Sequence, residues 1–100
     1  MKLQENYSDS IRRLCATHKV KKLYAFGSVL REDFNESSDI DFLVYFDNMD
    51  LINYTNNYFN FKFSLEDLFK RSVDLIEEKS LKNPYFVESI SNSRKLVYGI

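Results

Sequence analysis

The stretch "YAFGSVLREDFNESSDIDFLVYF", residues 24–46, ends one apolar run on a Gly-Ser pair and places an Asp-x-Asp inside the next. From Asp39 to Phe46 the pattern alternates, so Ile40, Phe42, Val44 and Phe46 share one side of a strand and residues 39, 41, 43 and 45 the other. One face of this strand is wholly apolar. On the reverse, Asp39 and Asp41 stand about 6.6 Å apart along the chain and can lean toward one point. Carboxylates that close resist ionising together unless a cation sits between them, and a set of hard oxygen ligands suits Mg²⁺.

Working outward, Val20 to Phe26 reads as a short strand stopped at Gly27. Before it, Ile11, Leu14, Cys15 and His18 recur at helical spacing between Ser8 and Lys19, with Ser8, Asp9 and Ser10 as N-cap candidates. Residues 28–34 have room for one or two helical turns, and Asn35 to Ser38 is turn chemistry. After the acidic strand, Asp47 to Asn57 reads as an Asn/Asp-rich loop. A helix follows in which Tyr58, Phe61, Leu65, Leu68 and Phe69 keep helical spacing.

Ser72 to Glu77 is a third strand, and Asp74 between Val73 and Leu75 repeats the oddity of a charge set in an apolar run. The intervening helix is long enough to be a crossover that sets this strand beside the acidic one, which would bring a third carboxylate to the pair. Pro84 suits the first turn of a last helix running to about Asn92, with Phe86, Val87 and Ile90 inward, and Lys95 to Tyr98 reads as a strand or extended tail. The expected architecture is α+β: a small mixed sheet flanked by helices, in one domain over residues 1–100.

Composition narrows the function classes. One hundred residues, 44% hydrophobic and 29% charged with two Gly and one Pro, describe an ordinary globular chain. A formal net charge of -1 argues against a protein that coats nucleic acid, since such binding neutralises many phosphates, and no direct nucleic-acid binding is expected. Lys19, Lys21 and Lys22 cluster, and a short charge run is ordinarily a solvated face. A single Cys, no signal-like apolar segment and no membrane-length run suggest a cytoplasmic protein. Cys15 and His18 on one helix face do not make a tetrahedral zinc set, because the chain has no other Cys or His.

A strand ending in Gly27-Ser28 offers free N–H groups and a hydroxyl to phosphate oxygens, and Gly lets a backbone approach a ligand closely. A phosphate cradle and paired carboxylates thus fall on consecutive elements. Two ions about 3.5 to 4 Å apart, bracketed by such carboxylates, are the arrangement used in phosphoryl-type transfer.

Gly27-Ser28, ten residues, then Asp39-Ile40-Asp41, with Arg31 three after the Ser and Ser38 before the first Asp, resembles the signature of the minimal nucleotidyltransferases (MNT) of the polymerase β-like superfamily. The stretch from Phe61 to Ile90 looks like that family's helix, third-carboxylate strand and closing helix. The resemblance implies transfer of AMP from ATP with two Mg²⁺ ions: Gly27, Ser28, Ser38 and Arg31 at the nucleotide, with Arg31 either contacting phosphate or anchoring its loop through a nearby acid, Asp39, Asp41 and Asp74 as metal ligands, and Asp74 acting as or supporting the base. Small members of this kind are often antitoxins whose partner is a helical HEPN-type RNase toxin, and in the best-understood of them AMPylation of a partner tyrosine silences it. The implied assembly is a hetero-oligomer.

The chain departs from the pattern at Glu32, where many members carry Gly. Two other readings of the same fold stay open: a binding module that neutralises its toxin by masking it, and a transferase acting on a small molecule or an RNA end. Outside the motif, Tyr54, Tyr58, Phe59, Phe61 and Phe63 exceed what one helix face can bury, leaving apolar surface for a partner or a second copy.

Overall fold

The computed structural model describes residues 7–27, 39–77 and 83–99. Along the chain run α1 (Ser8–Thr17), β1 (Val20–Phe26), β2 (Ile40–Phe46), α2 (Leu51–Phe69), β3 (Val73–Glu77), α3 (Pro84–Ser93) and β4 (Lys95–Tyr98). The described strands form one sheet in the order β3-β2-β1-β4. β1 pairs antiparallel with both β2 and β4, whereas β2 and β3 run parallel. A parallel neighbour needs a crossover, and α2 supplies it. This is the α+β fold with a small mixed sheet expected from the sequence.

Alternation along β2 divides the interior in two. Ile40, Phe42 and Val44 face α1 and α2, where they join Ile11, Cys15, Leu23, Phe61, Leu65, Val73 and Leu75 in the main core. On the reverse face Phe26 and Leu43 pack under Ile90 of α3 in a second, smaller core. The acidic side of β2 is therefore only partly polar: Asp41 and Leu43 share it, and α3 roofs the apolar part.

Two boundaries differ from the sequence reading. α2 begins at Leu51, so most of the stretch read as a loop is helix; Asp50 caps it, its carboxylate accepting from the Asn53 N–H at 2.9 Å and from the Asn53 side-chain amide at 2.6 Å. Tyr54 packs edge-on against Phe46 with ring centroids 5.5 Å apart, which holds this first turn to the sheet. Asn and Asp are poor helix formers, but one capping bond and one aromatic contact outweigh their weak propensity. At α1 the expected side-chain cap is not used; Tyr7 occupies the N-cap position without a side-chain bond. Residues 28–38, and the side chain of Phe86, lie outside the described set.

Candidate functional site

At one end of the sheet the register brings three strand ends together, two of them carrying a carboxylate. Phe26 of β1 is the partner of Asp41, and Asp41 is in turn the partner of Asp74 across the parallel β2–β3 pair. Hydrogen-bonded strands lie about 4.8 Å apart, so the two aspartates extend side by side from adjacent backbones. Asp39 immediately precedes β2 and, by the two-residue period, projects to the same face as Asp41. Asp41 is half-buried, while Asp39 and Asp74 are exposed. The crossover helix thus sets Asp74 beside Asp41 on the neighbouring strand.

Gly27 follows β1 with φ +74, a conformation that side-chain-bearing residues rarely adopt. A Cβ placed there would stand 2.5 Å from Asp41 Oδ2. The close approach that the sequence attributed to a ligand is therefore first an approach of Asp41 itself: its carboxylate rests against the Gly27 backbone. Glycine at this position sets where the Asp41 carboxylate can lie.

The strand that carries Asp74 is the edge of the sheet, and half of an edge strand's backbone groups face away from its neighbour. Two of them are taken by α2. The Val73 N–H donates to Glu66 Oε2 at 3.0 Å, and the Tyr58 hydroxyl donates to the Leu75 carbonyl at 2.5 Å. On the inner side Ile40 N–H donates to the Ser72 carbonyl at 3.2 Å. Asp74 therefore sits between two residues that α2 pins. Burial, and secondarily the charge of Asp74, push the Tyr58 hydroxyl above its usual range, which keeps it a neutral donor.

Glu66 and Tyr58 are the positioning residues that motif reading missed. Their signal was present but ambiguous: a Tyr and a Glu on the flanks of an apolar helix face are ordinary until the crossover puts them beside a strand edge. Ser28, Arg31, Ser38 and Glu32 lie outside the described residues. The basic cluster is elsewhere: Lys21 and Lys22 line an open groove of about 710 Å³ with Arg12 and Tyr98. Leu23 pairs with Tyr98 and Phe26 with Asp41, so this groove lies at the other end of β1 from the carboxylates.

Cys15 and His18 serve the core. Cys15 is fully buried, and burial pushes its thiol up to about 12. The His18 ring donates through Nδ1 to the Leu14 carbonyl at 2.7 Å and packs 5.4 Å from the Phe61 ring.

The donor chemistry of Asp39, Asp41 and Asp74 fits a hard divalent cation, being all oxygen and carried near one end of the sheet. Among the described residues no three His, Cys, Asp or Glu side chains are gathered as a metal-ligand cluster as they stand. The fit rests on the register of Asp41 with Asp74 and on the glycine that receives the Asp41 carboxylate.

Residues 8–97 match the nucleotidyltransferase domain family, and the chain belongs to it. A putative protein adenylyltransferase of Methanocaldococcus jannaschii is 34% identical over 98% of this chain and 99% of its own length. Another from the same organism is 38% identical over 81% of this chain and 78% of its own. Among solved structures, a putative minimal nucleotidyltransferase superposes with TM-score 0.75 at 29% identity, covering 95% of both chains. A toxin–antitoxin complex with AMP-PNP contains a chain of the same fold, with TM-score 0.71 at 23% identity over 94% of this chain and 74% of that one. The fold also recurs in a complex of a tri-AMPylated HEPN toxin with an MNT antitoxin from Shewanella oneidensis, with TM-score 0.66 at 22% identity over 97% of this chain and 73% of that chain. The protein is a nucleotidyltransferase.

Proposed function

We propose that the protein transfers AMP from ATP to a tyrosine hydroxyl of a HEPN-type RNase toxin and thereby acts as its antitoxin. The observation that supports this reading is the register of Asp41 with Asp74 beside Gly27, which sets two carboxylates side by side at one sheet end. The protein adenylyltransferase relatives and the HEPN toxin bound to an antitoxin of this fold support the acceptor and the partner.

Asp39, Asp41 and Asp74 would hold Mg²⁺, which when bound supplies positive charge against the phosphates and lowers the pKa of an oxygen beside it. Gly27 and Ser28 receive the triphosphate, Ser38 and Arg31 contact it, and Asp41 is oriented by the Gly27 backbone. The acceptor oxygen forms a bond to the α-phosphorus in line with the departing pyrophosphate, whose bridging P–O bond breaks. The hydroxyl proton passes to the Asp74 carboxylate. Most of the catalysis asked of the chain is positioning and charge stabilisation, because phosphoryl-type transfer requires little covalent chemistry from the protein.

The test is incubation of the purified protein with α-labelled ATP, Mg²⁺ and a small helical protein carrying an Arg-x(4–6)-His motif encoded beside it. Label on a partner tyrosine, lost with Asp39→Ala plus Asp41→Ala, is the expected result. Neutralisation of the partner's RNase activity that survives this double substitution without label would instead establish masking.

A further inference from the structure

On the α3 side of the sheet the register sets the side chains in rows. Phe26, Asp41 and Asp74 form the row at the carboxylate end, Tyr24, Leu43 and Ile76 the next, and Lys22 and Tyr45 the third. Successive rows are two strand residues, about 6.8 Å, apart.

α3 is placed across these rows at two points. Ile90 is buried on Phe26 and Leu43, between the first row and the second. Arg94, directly after the helix, holds its guanidinium carbon 4.2 Å from the Tyr24 ring centroid and donates from Nη1 to the Tyr45 hydroxyl at 3.2 Å, between the second row and the third. From Ile90 to Arg94 the chain advances four helical residues, about 6 Å, which matches one row. α3 therefore runs away from the carboxylate end, and its first turn, Pro84 to Val87, lies level with and beyond Asp41 and Asp74.

Among the described side chains of the helix Ile90 alone is buried, and Tyr85 on the first turn is 83% exposed. Arg94 supplies the second attachment. Its N–H donates to the Ile90 carbonyl at 2.8 Å, which joins its backbone to the last turn, while Lys95 and Leu96 just after it pair with Ala25 and Tyr24 of β1. The arginine thus stands at the joint between a strand fixed in the sheet and a lightly held helix. A planar guanidinium can lie on an aromatic face and donate to a hydroxyl at once, which a lysine ammonium reproduces only in part. Tyr24 and Tyr45 meet edge-on with centroids 5.9 Å apart, so its two receivers are fixed relative to each other.

We propose that the first turn of α3 forms a wall of the nucleotide cleft beside the carboxylates, and that Arg94 is the positioning residue that sets it there by clamping Tyr24 and Tyr45. The inference rests on the nucleotide lying at Asp41 and Asp74, as proposed above. Its guanidinium is one and a half rows, about 10 Å, from that end of the sheet, so Arg94 acts through the helix.

The chain contains no Trp, so Tyr85→Trp supplies a single fluorophore on the first turn of α3. Titrating this variant with AMP-PNP and Mg²⁺ is expected to give a saturable change in Trp emission, with binding to the parent measured by calorimetry. Adding Arg94→Ala should raise the dissociation constant about tenfold and remove most of the emission change, because the wall is then in place only a fraction of the time. The circular dichroism spectrum at the same temperature is retained. Arg94→Lys, which keeps a cation over the Tyr24 ring, should recover part of the affinity, and Tyr45→Phe, which removes only the acceptor, should cost about threefold. A parent that fails to bind AMP-PNP would overturn the reading of the carboxylate end and this inference with it. Binding that leaves the Tyr85→Trp emission constant would overturn the wall alone. An affinity that Arg94→Ala, Arg94→Lys and Tyr45→Phe all leave unchanged, with only the melting midpoint lowered, would reduce Arg94 to a structural role and overturn the clamp.

Discussion

Gly27 and Asp41 form one unit at the scale of single residues. Replacing Gly27 by Ala puts a methyl group where the Asp41 carboxylate lies and adds backbone strain of about 1–2 kcal/mol at φ +74. The predicted outcome is a drop in AMP transfer of about a hundredfold, with the urea midpoint only modestly lowered; activity equal to the parent would separate Gly27 from the reaction. Asp41→Asn keeps the shape and removes the charge. It should cost two to three orders of magnitude in turnover with the thermal midpoint unchanged or raised, because a repulsive neighbour of Asp74 is gone. Labelled-ATP assays beside thermal melts of both variants check these together.

At the scale of elements, α2 does most to shape the site, since it makes the parallel pairing feasible and holds β3 by its outer edge. Tyr58→Phe removes the bond to the Leu75 carbonyl and should cost about 1 kcal/mol by urea denaturation, with faster hydrogen exchange confined to β3. Unchanged β3 protection would argue that the hydroxyl does not pin the strand. The start of the same helix depends on Asp50. Its carboxyl is held below the ordinary range by the Asn53 N–H, so folding loses this contribution as pH falls through the lowered value, and the cap stabilises the helix above it. Asp50→Ala should lower the melting midpoint by a few degrees at neutral pH, and that difference from the parent should vanish in strong acid.

On the scale of the whole molecule, Cys15 is the one titratable group among the described residues that are fully buried in the main core. Cys15 has its thiol moved from 9.0 to about 12 by burial, so the unfolded chain loses this proton first as pH rises. The sign follows: full stability below about pH 9, then a loss approaching 1.4 kcal/mol per pH unit until about 12. Urea unfolding from pH 8 upward on the parent and on Cys15→Ala should show the steeper decline only in the parent. Parallel slopes would mean that the thiol is solvated in the folded state. Burial also predicts that alkylating reagents leave Cys15 unmodified until the chain unfolds.

Local periodicity carried a large share of this architecture. The alternation of Ile40, Phe42 and Val44, the helical spacing of Ile11 and Cys15, and the apolar run around Asp74 are short-range patterns, and burial of a face leaves them little choice of structure. They determined the elements, the class of fold and the acidic positions. They did not determine the start of α2, where a cap and an aromatic contact overrode the weak propensity of an Asn-rich segment. Nor did they determine that Gly27 seats Asp41, or that Tyr58 and Glu66 hold β3. Those depend on which strands become neighbours, a choice made by chain crossover and core packing between residues tens of positions apart, and only the tertiary structure decides it.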